Sequence, residues 1–128
     1  MGREEVQNGY TVMENETAGQ IFISHEVITI IAGLAATEVK GVASMGGNIT
    51  NELVSKLGVR NLARGVRTTI ENRMVTVDLT LNLGYGANIP KTCQKVQEKV
   101  KASIENMTGL TVENVNIQIA AVKMEEGN

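Results

Sequence analysis

A chain of 128 residues with one histidine, one cysteine and no tryptophan is short of the side chains from which most catalytic centres are made. Cys93 alone forms no intrachain disulfide, and with His25 it cannot assemble the Cys/His set of a structural zinc site. A single histidine leaves a Ser-His-Asp relay no spare base. Hydrolase and metalloenzyme readings are therefore disfavoured, and the expectation is a non-enzymatic protein with no cofactor and no metal. Charge of either sign is not in large excess: 12 Lys+Arg against 14 Asp+Glu give −2, without the chain-wide basic footprint of a nucleic-acid binder, although a local basic face stays open. Long apolar runs are missing too. The stretch Val27 to Ala36, flanked by Glu26 and Glu38, is about half the roughly 20 residues that cross a bilayer. Met1 to Glu16 has no cationic segment leading into an apolar one, so it does not read as a secretory signal. An unpaired cysteine suits a reducing compartment, and the expected location is the cytoplasm.

What is present is aliphatic and β-branched. Hydrophobic residues make up 42%, but aromatics amount to Tyr10, Phe22 and Tyr85, so the core must be aliphatic. Val, Ile and Thr are abundant, which favours pleated, half-buried surface. Residues 1–18 carry Glu4, Glu5, Glu14 and Glu16 against Arg3 and read as a disordered acidic arm. Residues 19–124 form the single folded domain, and 125–128 a flexible tail.

Within the domain, Gln20 to Ser24 is β-like, and Ser24 can cap a helix carrying Val27, Ile28, Ile30, Ile31, Leu34, Ala35 and Val39, stopped by Gly41. Val42 to Met45 is a short strand, and Leu53, Val54 and Leu57 fit a helix from about Thr50 to Ala63. Strict alternation from Val66 to Glu71 and from Met74 to Leu83, around Asn72-Arg73, predicts a hairpin with one wet face. Pro90 opens an amphipathic helix whose inward sector is Ile89, Cys93, Val96, Val100, Ile104 and Met107, ended by Gly109. Leu110 to Met124 alternates again. The order β-α-β-α-β-β-α-β predicts a two-layer α+β sandwich, with a mixed sheet of about five strands under two main helices.

The candidate site residues are surface residues. Lys56, Arg60 and Arg64 recur at spacing four, followed by Arg67, and Lys91, Lys95 and Lys99 form a second basic stripe. Either suits an acidic partner, an anionic surface or nucleic acid, or is simply a solvated face. Tyr85, in the turn Gly84-Tyr85-Gly86, covers the core or is offered to a partner; that turn lacks the lysine and the glycine spacing of a phosphate cradle. Ala120, Val122 and Met124 extend the face that begins with Asn114 and Asn116 and turn it apolar, which makes a self-association or partner patch. Glu38, in the apolar arc of the first helix, and Asp78, mid-strand, call for polar partners, with Arg67, Arg73 or a backbone donor as candidates for both. His25 reads as a cap-region residue and Cys93 as a small core hydrophobe.

Three blocks carry a resemblance: GQIFISHEVITIIAGLAATEVKGV, RGVRTTIENRMVTVDLTLNLGYGANI and CQKVQEKVKASIENMTGLTVENVNIQI. Together, from Gly19 to about Met124, they resemble the alkaline shock protein family, the Gls-type envelope stress proteins of Gram-positive bacteria. The resemblance implies a non-enzymatic cytoplasmic protein of envelope homeostasis or stress, held near the membrane through a partner. Such a protein would act as a homo-oligomer or through protein partners at the envelope. The branch of the family linked to acetyl-CoA carboxylase and fatty-acid synthesis implies instead a regulatory adaptor. Weak nucleic-acid binding through Lys56 to Arg67 is a third reading.

Overall fold

The computed structural model describes residues 5–7, 10–15, 19–46 and 64–124. The helix expected between Thr50 and Ala63 lies outside them. The described elements are β1 (Glu5–Gln7), β2 (Tyr10–Asn15), β3 (Gly19–Ser24), α1 (His25–Thr37), β4 (Val42–Met45), β5 (Val66–Glu71), β6 (Met74–Gly84), α2 (Ile89–Thr108) and β7 (Thr111–Lys123). The expected α+β sandwich is what the chain forms.

Everything is organised around β6. Its inward residues Val75, Val77, Leu79, Leu81 and Leu83 are all 0–1% exposed, packed with Ile28, Ala32, Ala35 and Ala36 of α1 and Val96, Val100 and Ile104 of α2. Each buried Val, Leu or Ile side chain among them contributes about 1.5–3 kcal/mol by leaving water. β6 pairs antiparallel with β5 along one half (Val66↔Leu79 to Glu71↔Met74) and with β4 along the other (Met45↔Leu81). The tight turn between β5 and β6 uses positive φ at Asn72 (54°) and Arg73 (64°), as a two-residue hairpin loop requires. β4 and β5 thus lie end to end on one edge of β6. They meet at Thr80, whose carbonyl accepts from Gly46 N at 2.8 Å and whose N–H donates to Gly65 O at 2.8 Å. Both glycines are needed there: a Cβ on Gly46 would stand 2.7 Å from Thr80 Cγ2, and one on Gly65 would stand 2.8 Å from the Gly46 carbonyl oxygen.

The other edge of β6 belongs to β7, which runs parallel to it and is reached through α2. α2 starts where Asn88 Oδ1 accepts from Lys91 N at 3.0 Å, with Pro90 in the first turn, and ends at Gly109 (φ 78°). α1 starts where Ser24 Oγ accepts from Glu26 N at 3.1 Å and ends at Thr37, with Gly41 (φ 107°) turning the chain into β4.

Four local expectations need correction. Residues 5–7 and 10–15, read as a solvated arm, are strands: β2 pairs with β1 and, from Tyr10↔Ser24 to Asn15↔Gly19, with β3. The β-prone run Tyr10 to Met13 satisfies its backbone in a ladder in spite of the flanking glutamates. Because β3 joins that three-stranded sheet, the main sheet holds four described strands. In α2 the buried positions are Thr92, Val96, Val100 and Ile104; Cys93 is half-buried, and Ile89 and Met107, in the first and last turns of the helix, are exposed. Finally, Val122 does not continue the face of Asn114 and Asn116. Between Leu81↔Ile119 and Asn82↔Ala121 β7 carries one extra residue, so Val122 pairs with Leu83 on the helix side.

Candidate interaction surface

The bulge at Ala120 gathers the predicted apolar residues at one corner. Gly84 pairs with Lys123, and Tyr85 N donates to the Lys123 carbonyl at 2.9 Å, which brings Tyr85 beside the end of β7. Tyr85 is 67% exposed, Val122 44% and Met124 68%, with Ala120 and Ala121 also exposed. β7 has no strand on its outer edge among the described residues. Two α2 side chains bond to its backbone near its start: Gln97 Nε2 donates to the Val115 carbonyl at 3.0 Å, and the Glu105 carboxylate accepts from Val112 N at 2.9 Å. Among the described residues, the half of β7 toward Lys123 receives no such side-chain cap.

The basic candidates do not form one face. Lys56 and Arg60 lie outside the described residues. Arg64 has an interaction of its own at the mouth of β5. Arg67 sits opposite Asp78 in the β5–β6 ladder, and Asp78 Oδ1 accepts from Asn116 Nδ2 at 3.0 Å. The hydrogen-bond partner of Asp78 is thus a side-chain amide on β7, where Arg67, Arg73 or a backbone donor was expected, within a shallow polar hollow of about 360 Å³ shared with Thr80 and Gln118. Of the α2 stripe, Lys91, Lys95 and Lys99 are exposed, and Lys99 Nζ lies 3.5 Å from Glu38 Oε1. Glu38 stands at the C-terminal cap of α1 rather than within its apolar arc, which explains how it meets α2. Val39 and Lys40 border the same groove with Lys95 and Glu98.

No group of three His, Cys, Asp or Glu suited to a metal ion occurs among the described residues. The Cys93 thiol is pushed above its ordinary range by burial. Among the described residues, no helix is long and apolar enough to cross a membrane. Sequence reasoning missed the open side of α1 and β3, where Ile21, Phe22, Val27 and Leu34 are each about half exposed. The signal was available in a helix apolar on nearly all sides.

Residues 13–124 match the alkaline shock protein 23 family, described as having a cell envelope-related function. YqhY of Bacillus subtilis (strain 168) is 36% identical over 112 residues, covering 88% of this chain and 83% of that protein. YloU of the same strain is 35% identical over 108 residues, 83% and 90% of the two chains. A stress response regulator gls24 homolog of Streptococcus pyogenes serotype M3 is 27% identical over 125 residues, covering 94% of this chain and 68% of that protein. Among solved structures, a MamM CTD variant superposes with a TM-score of 0.48 at 14% identity, over 76% of this chain and 94% of that one.

Proposed function

Because this chain belongs to the alkaline shock protein 23 family, whose function is cell envelope-related, we propose that it is a non-enzymatic interaction protein of the envelope stress response, working from the cytoplasmic side through self-association and partner docking. The resemblance read from the sequence holds. The observation that carries it is the exposed Tyr85, Val122 and Met124 cluster, continuous with the uncapped edge of β7. An open strand edge offers backbone donors and acceptors to another strand, and an apolar cluster beside it supplies burial.

The occupant best suited to that edge is a second copy of β7. Antiparallel pairing of the two uncapped halves sets the Asn116 end of one beside the Lys123 end of the other and brings the apolar residues between them together. Two four-stranded sheets would then become one, leaving the remaining surface for envelope partners.

Sedimentation of the full chain over a wide concentration range tests this. Concentration-dependent association is expected, weakened by Val122→Lys and by Met124→Lys, neither of which removes a core contact. A wild type that stays monomeric throughout, and that crosslinks in cells to no envelope or lipid-synthesis protein, overturns the reading. Recovery of a lipid-synthesis enzyme with a monomeric chain favours the regulatory adaptor instead.

A further inference from the structure

The turn Gly84-Tyr85-Gly86-Ala87-Asn88 has no lysine in its own sequence, but the fold brings one to it. Lys40 and Gly41, just ahead of β4, form the facing wall, tied by Gly84 N donating to the Gly41 carbonyl at 2.8 Å. Between the two segments is a cleft of about 340 Å³ at the head of α2. Its backbone comes close to the floor: a Cβ on Gly41 would stand 3.0 Å from Thr92 Oγ1.

Two features of this cleft point to a ligand independently. The first is Thr92. It is 6% exposed, and its hydroxyl has no hydrogen-bond partner among the described residues, although a buried hydroxyl left unpaired is costly. The second is the electrostatics. The cleft opens on the positive end of a 20-residue helix with no acid in its first turn, Lys40 lines it, and none of its described lining residues is a carboxylate. The Asn88 side chain caps Lys91 N and Pro90 has no N–H, which leaves the N–H groups of Asn88 and Ile89 without a partner among the described residues.

We propose that this cleft binds a phosphate-type oxyanion. Lys40 supplies the charge, the Thr92 hydroxyl donates from the floor, and the N–H groups at the head of α2 donate from the side. The cleft is larger than a bare phosphate, and the exposed ring of Tyr85 at its rim covers the organic group that carries it. Both a lipid headgroup and a soluble phosphate ester present that chemistry. The site shares Tyr85 with the docking surface, but the groups that would hold the anion, Lys40 and Thr92, lie outside the β7 corner.

The test uses the full chain labelled with ¹⁵N, titrated with inorganic phosphate and with glycerol 3-phosphate at fixed ionic strength. Saturable shifts are expected at the amides of Gly41, Gly86, Ile89 and Thr92, absent when chloride replaces phosphate. Thr92→Val and Lys40→Gln should each weaken binding by about tenfold or more, while the ligand-free Thr92→Val protein melts no lower than wild type. Sedimentation with phosphatidylglycerol vesicles, but not phosphatidylcholine vesicles, in a Lys40-dependent way assigns the anion to a lipid; binding of glycerol 3-phosphate without vesicle binding assigns it to a soluble ester. Either supports the site. The proposal is overturned if the four amides do not shift saturably, or if Thr92→Val binds like wild type.

Discussion

Gly65 and Gly109 have almost the same backbone, φ 77° and 78°, but different surroundings. Nothing lies within 4 Å of a Cβ built on Gly109, whereas one on Gly65 meets the Gly46 carbonyl oxygen at 2.8 Å and the Thr80 carbonyl oxygen at 3.0 Å. Alanine at either position incurs the left-handed penalty, about 1–2 kcal/mol, partly offset by roughly 0.4–1 kcal/mol from a stiffer unfolded chain. Gly109→Ala should therefore cost about 1 kcal/mol. Gly65→Ala must also move backbone atoms of the ladder in which Gly46 N bonds Thr80 O and Thr80 N bonds Gly65 O. Losing one of those bonds and leaving its partner unsatisfied adds about 2 kcal/mol, for a total near 3 kcal/mol. With no tryptophan present, urea unfolding followed by far-ultraviolet circular dichroism is the assay. Equal losses for the two variants, within about 0.5 kcal/mol, would refute the closed junction at Thr80. A second readout comes from Gly46→Ala, whose Cβ is placed 2.7 Å from Thr80 Cγ2: Thr80→Ser should recover part of its loss, a coupling expected only for residues in contact.

Leu81→Ala, at a fully buried position of β6, should destabilise by about 2–5 kcal/mol in the same assay, and a loss under about 1 kcal/mol would contradict the packing. The Glu38–Lys99 pair is half exposed on both sides, so a double-mutant cycle should give no more than about 0.5 kcal/mol, vanishing at high salt. Because burial raises the Cys93 thiol, the folded state holds its proton longer than the unfolded state does. Stability should fall as pH rises above the unfolded thiol value, near 8.5, and Cys93→Ala should remove that slope. The same thiol should react with a maleimide more slowly than a free cysteine at pH 8, and equal rates would argue against its burial.

The hairpin β5–β6 and the limits of α2 were legible because alternation, a two-residue turn, an Asn88 cap followed by Pro90, and a Gly stop are local signals. The partner of each strand was not. Nothing near Ile21 or Ile23 says that β3 pairs with β2 and leaves the main sheet, since pairing is decided between distant segments. The face of β7 was misread because a bulge is a backbone event, and one extra residue at Ala120 reverses a period-two pattern without altering composition. Whether Thr92 or Cys93 points inward depends on where the sheet lies beneath the helix, which a wheel does not contain. The cleft at the head of α2 was invisible for the same reason: its lysine and its glycine turn are remote in sequence and meet through the bond between Gly84 and Gly41.

The parallel seat of β7 beside β6 also sets an order of events during synthesis. β4 and β5 have left the ribosome by the time β6 appears, but the strand for its other edge comes after α2. At roughly 5–20 residues per second, the stretch from Gly84 to Lys123 takes about 2–8 s to make. For those seconds the strand that supplies five buried core residues waits with one side unclaimed. The charge it carries on its outer face is Asp78, at mid-strand, and a charge there is what discourages a stranger from pairing first. On that view the lone aspartate is a guard on a nascent strand, relieved when Asn116 arrives to take its hydrogen bond.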